Sequence, residues 1–194
     1  ILVMYRRNEL DDHTDPTARF SFERLLASLK LTVQHAGLRR LLISASIFNG
    51  VQMCVFTYLV AFLVEDAMLS LVLAGFGLSV ASAGGIIGRV FWGVFADFIK
   101  APKLTLTILG LLMAACCVVM TFFTGDTPHW IIYAIMFALG ASAIGWNGVI
   151  LAEIAREAPQ GQTGLVTGSM ICFGYIVSIS MTMLFAELCG LPCP

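Results

Sequence analysis

The chain has 194 residues, of which 59% are hydrophobic and 12% charged, against about 45–50% and 25% in ordinary globular domains. That balance excludes a usual water-soluble domain and points to one built for a bilayer. With eleven Lys and Arg against twelve Asp and Glu, the net charge is −1, and nothing suggests a nucleic-acid partner.

Residues 1–7, ILVMYRR, place a basic pair after apolar residues, the reverse of a signal peptide. They read as the end of a preceding transmembrane helix, so the chain is expected to be a fragment of a longer protein. Residues 8–38 read as a cytoplasmic loop. Its first part, NELDDHTD, is polar and acidic; Asp15 before Pro16 then signals a helix start. Phe22, Leu25, Leu26, Leu29 and Val33 recur at helical spacing, with Arg19, Glu23, Arg24 and Lys30 among the other positions, which predicts an amphipathic helix ending near Gly37.

Residues 39–194 contain five apolar segments, near 39–64, 69–96, 103–124, 129–152 and 164–188. Each has about the 20 residues needed to cross roughly 30 Å of hydrocarbon as a helix. Period-2 alternation is absent, so the expected fold is all-α, a polytopic transmembrane bundle. The breaks are short and polar: Glu65 and Asp66; Phe98 to Pro102; Gly125 to Pro128; Arg156 to Gln162. Basic residues cluster before the first span and after the second and fourth, which orients those ends toward the cytoplasm. Cys54, Cys116, Cys117 and Cys172 lie within apolar segments and read as small packing residues; Cys189 and Cys193 near the far end have no disulfide framework around them.

Segment 103–124 is apolar all round, as for a helix facing lipid. The others carry polar residues at depth, including Asn49, Gln52, Thr57 and Tyr58; Ser79, Ser82 and Arg89; Ser142, Trp146 and Asn147; Thr167, Ser169, Tyr175 and Ser178. Such groups belong between helices or around a water-filled cavity. Asn49 and Gln52 share a helix face, suited to interhelical hydrogen bonds or to a solute. Trp146 and Asn147 sit beside Gly145 and Gly148, suited to a cavity wall or to tight packing. Arg89 either reaches the inner surface, pairs with Asp97 or Glu153, or binds an anionic solute. Gly84 and Gly88 have the spacing for close helix packing. Gly93, Asp97, Lys100 and Lys103 form a hinge between two spans.

No Asp or Glu lies at mid-depth. His13, His35 and His129 are scattered without metal-ligand spacing, and no phosphate-cradling GxxxxGK[ST] occurs, so no metal, cofactor or enzymatic chemistry is expected.

The stretches GIIGRVFWG and GVFADFIKAPK resemble the second helix and following loop signature in the C-terminal half of the major facilitator superfamily. GWNGVILAEIAREAPQGQTGLVTG resembles the tenth helix and the loop into the eleventh in bacterial members. The resemblance implies that the spans are the seventh to eleventh of twelve, with a missing N-terminal half of the same transporter as partner. It also implies a bacterial inner membrane and secondary transport of a small-molecule substrate by alternating access, with a coupling proton or ion as a family expectation. Where the signature has Arg and then Gly after its Asp, this chain has Phe98 and Lys100. The second functional class is a membrane scaffold or assembly subunit, in which the polar residues serve helix contacts only.

Overall fold

The computed structural model describes residues 29–30, 32–159 and 162–189. Residues 1–28 lie outside the described residues, and with them the preceding helix end and most of the expected amphipathic helix; so does Cys193.

From Ala36 onward, five long helices follow one another among the described residues: α1 Ala36–Glu65, α2 Leu71–Ile99, α3 Pro102–Met120, α4 His129–Glu157 and α5 Thr163–Cys189. All five are long and apolar enough to cross a membrane, and the protein is an integral membrane protein. Local chemistry sets their ends. The Ser70 hydroxyl caps α2 by accepting from the Leu73 N–H at 3.4 Å. Pro102 opens α3, where its missing N–H costs nothing. Lys100 closes α2 in the left-handed conformation, φ 50° and ψ 29°, a geometry that glycine adopts most readily. The loop signature that this stretch resembles has a glycine at this place.

Two boundaries differ from the sequence reading by more than three residues. The fourth span continues through Arg156 to Glu157, because charged side chains do not interrupt a helix once it leaves hydrocarbon; Pro159 stops it. The third helix ends at Met120, short of 124, and one of its apolar faces packs inward instead of facing lipid. Thr105, Leu109, Met113, Cys116 and Met120 form a buried stripe at helical spacing. Thr105 is tolerated there because its hydroxyl donates to the Ala101 carbonyl at 3.3 Å.

The bundle is organised on α4, half of whose most apolar stretch is buried. Its tightest partner is α2. A Cβ on Gly84 would strike the Phe137 carbonyl, one on Gly88 the Ala141 carbonyl, one on Gly140 the Ala81 carbonyl, and one on Gly148 would lie 2.6 Å from the Arg89 carbonyl. Lipid supplies no hydrophobic drive between helices, so close backbone approach through small residues is what holds such a pair. Residues 81, 89 and 97 of α2 face residues 140, 148 and 156 of α4, a constant offset of 59. The two helices therefore run parallel and in register over their whole shared length.

The second close pair is α1 with α5. Asn49 Nδ2 donates to Ser178 Oγ at 2.7 Å, Cys54 Sγ donates to Thr182 Oγ1 at 3.7 Å, and the rings of Tyr58 and Phe185 are 5.4 Å apart. A seam joins this pair to α4: Phe48 stacks on Trp146 with centroids 5.7 Å apart, and Trp146 Nε1 donates to Gln52 Oε1 at 3.1 Å. Gly93 does not use its small size for packing, since a Cβ there would meet nothing within 4 Å among the described residues.

Candidate functional site

Between α1, α4 and α5 lies a cavity of about 160 Å³. From α1 it receives Ala45 and Asn49; from α4, Trp146, Asn147, Ile150 and Leu151; from α5, Thr167, Ile171 and Tyr175. The periodicities explain the grouping. Asn147 and Leu151 are one turn apart on α4, and Thr167, Ile171 and Tyr175 repeat every fourth residue on α5, so each helix presents one stripe to the space. Tyr175 also borders a second cavity of about 210 Å³, lined by Met53, Thr57, Ser178 and Thr182. The two spaces meet at that phenol, half of whose surface is exposed.

The polar lining is neutral throughout: two carboxamides, a threonine and a phenol. Both carboxamides are partly committed, Asn49 to Ser178 and Asn147 to the Ile144 carbonyl at 3.1 Å. Each keeps its side-chain oxygen as an acceptor. A third groove, of about 800 Å³, lies between α1 and α3. Its length is lined by Ile43, Ile47, Leu106 and Gly110, with charges confined to one end at Arg40, Lys103, Glu153 and Glu157. Ser44 and Thr107, one turn in from that end, are its other polar lining residues, and beyond them a hydroxylated solute would meet only apolar side chains.

The structure thus gathers three of the five sequence candidates, Asn49, Trp146 and Asn147, around one space. Gln52 stands behind it, accepting from the Trp146 indole and fixing its ring. Arg89 does not line this cavity. Thr167 and Tyr175 do, and sequence reasoning left them among the general polar residues; their spacing of eight residues with Ile171 between was the available signal.

At the end of the bundle that carries the basic residues, Asp97 is paired. Arg156 Nη2 donates to Asp97 Oδ1 at 2.8 Å, and Arg156 Nη1 donates to Glu153 Oε1 at 2.7 Å. Arg89 makes neither contact, because it lies two turns deeper on α2, while Arg156 stands directly opposite Asp97. Lys100 and Lys103 are not part of this cluster; Lys100 is exposed and Lys103 borders the outer groove. The Glu157 carboxylate packs over Gly37 in the first turn of α1, where helix N–H groups favour an anion, with His35 Nδ1 at 4.0 Å. Side-chain exposure of 53% at Arg156 and 61% at Asp97 limits such a pair to about 0–1 kcal/mol. It is a contact strong enough to bias two helices and weak enough to break.

The family model of the Major Facilitator Superfamily matches residues 1–182. The chain belongs to that superfamily. Curated relatives agree. The "Probable galactarate/D-glucarate transporter GarP" of Escherichia coli (strain K12) is 27% identical over 140 residues, covering 68% of this chain and 30% of the relative. The similarly named GudP of the same strain is 28% identical over 145 residues, covering 69% and 30%. GudP of Bacillus subtilis (strain 168) is 26% identical over 142 residues, covering 68% and 30%. This chain of the Major Facilitator Superfamily therefore spans about a third of the length of the relatives it matches. No solved structure matches.

Proposed function

We propose that this chain forms the seventh to eleventh spans of a secondary transporter that moves a small hydroxylated acid by alternating access. The basic end of the bundle faces the cytoplasm and the bilayer is the bacterial inner membrane. The observation that carries the reading is the neutral cavity between α1, α4 and α5. It lies in the half of the bundle nearer the Asp97–Arg156 end and reaches the middle of α1 and α5 at Asn49 and Tyr175, the depth at which transporters of this architecture hold solute. Its volume is below the roughly 300–1,000 Å³ of a complete small-molecule site, in keeping with one wall of a site shared with another half. Carboxamides and hydroxyls suit the hydroxyls of a polyhydroxy acid, because each offers both a donor and an acceptor. The relatives' names point to galactarate and D-glucarate as the first solutes to try.

In this reading Asp97, Arg156 and Glu153 form a breakable latch at the cytoplasmic end. Gly93 leaves an open lane on α2 for a surface of the opposite half. The seam at Trp146 lets the α1–α5 pair shift against α4.

The test is uptake of radiolabelled D-glucarate by proteoliposomes holding the full-length protein. The parent is expected to accumulate it, Asn147→Leu to lower uptake at least tenfold at equal protein level, and Asp97→Asn to lower the maximal rate more than the half-saturation concentration. Full-length protein that moves neither D-glucarate nor galactarate contradicts the assignment of substrate. Protein that moves no solute in a wider screen supports a scaffold instead.

A further inference from the structure

The cavity carries no charge, yet a sugar diacid brings two carboxylates, so at least one cation must approach it from outside the lining. Arg89 is the one candidate at depth among the described residues. It lies two turns deeper than Asp97, about 12 Å along the helix at 1.5 Å per residue. No ion pair or hydrogen bond holds its guanidinium among the described residues, and its side chain is exposed. An arginine left without a counter-ion inside a membrane span is costly and calls for a function.

The packing of α2 on α4 sets where this group lies. Gly148 has no side chain, and a Cβ there would lie 3.5 Å from Arg89 Cγ, so the stem of the arginine runs across Gly148. On the same side of the interface Gly85 packs against Ile144. Ile144, Asn147, Gly148 and Leu151 form the strip of α4 that stays at least partly uncovered between α2 and α5. Asn147 and Leu151 of that strip are also cavity lining. Arg89 and the neutral cavity therefore border the same strip of α4 from its two sides. The guanidinium is a planar fork matched to a carboxylate, which a lysine ammonium is not.

Building on the transport reading above, we propose that Arg89 is the anchor for one substrate carboxylate, so that the cavity reads the hydroxyl chain and Arg89 selects diacids over monoacids. The test uses the full-length protein in proteoliposomes, with labelled D-glucarate and competition by unlabelled D-glucarate, which has two carboxylates, or D-gluconate, which has one. Wild-type protein is expected to favour D-glucarate at least tenfold. Arg89→Gln should bring the two competitors to within about twofold of each other, and Arg89→Lys should leave an intermediate preference, with charge kept and the fork lost. An arginine that only reaches for lipid headgroups predicts an unchanged ratio in both variants, which overturns the proposal. If Arg89→Gln does not reach the membrane, the Arg89→Lys ratio decides in the same way. Wild-type protein that takes up neither acid overturns the substrate reading and this inference with it; wild-type uptake with an unchanged ratio overturns this inference alone.

Discussion

Alanine at Gly140 is expected to destabilise the bundle by about 3 kcal/mol, the upper part of the range for forcing extra atoms into a packed interior. The same change at Gly110 should leave it within about 1 kcal/mol of the parent. Both glycines are helical, so intrinsic propensity favours alanine at each. The difference lies in what the new methyl meets. At Gly140 it lands on the Ala81 carbonyl, a backbone atom fixed by the α2 helix; at Gly110 it meets only the Phe48 ring edge at 3.6 Å, an ordinary contact. Relief at Gly140 requires α2 and α4 to separate, which loosens the neighbouring contacts at Gly84, Gly88 and Gly148 as well. Midpoints of thermal unfolding in detergent micelles, compared for the two variants, measure this. Equal midpoints would mean that the α2–α4 approach is not what holds the bundle.

Truncating Trp146 has the other large effect. Its indole is 5% exposed, stacks on Phe48 and donates to Gln52. Trp146→Ala should cost about 3–5 kcal/mol, the usual loss for emptying a large aromatic site, and should remove uptake with it. The hydrogen bond is the smaller part. Interhelical bonds in bilayers average about 0.6 kcal/mol and rarely exceed about 1.7. Trp146→Phe should therefore cost far less than Trp146→Ala, and adding Gln52→Leu should recover part of that loss by removing the acceptor left without a donor. A double-mutant cycle on these two positions isolates the pair. A coupling near zero would show that Gln52 does not fix the ring.

The spans were legible because about 20 apolar residues in a row have few alternatives in lipid, and family membership followed from the residues around Gly93 to Lys103. Asn49, Trp146 and Asn147 stood out because carboxamides and indoles at depth need partners. The pairing of those partners was not legible. Gln52 and Asn49 look equivalent on the α1 sequence, yet one fixes Trp146 and the other bonds α5, a distinction set by the rotation of α1 between two neighbours. Arg156 read as the start of a loop because charge in a break looks the same whether or not the helix continues. Only the register of α2 against α4 brings it to Asp97 and leaves Arg89 beside Gly148. Gly93, read as part of the hinge, faces open space among the described residues, because it lies on the flank of α2 turned away from close contact with α4.

Single cysteines at positions 49, 147 and 175, placed in a full-length protein whose native cysteines have been replaced, test the central claim most directly through reaction with a membrane-impermeant maleimide. If α1, α4 and α5 enclose a wet solute path, all three react, and saturating D-glucarate slows labelling at position 147 several-fold. If none of the three reacts from either side of the membrane, the space between these helices is dry and the transport account is wrong.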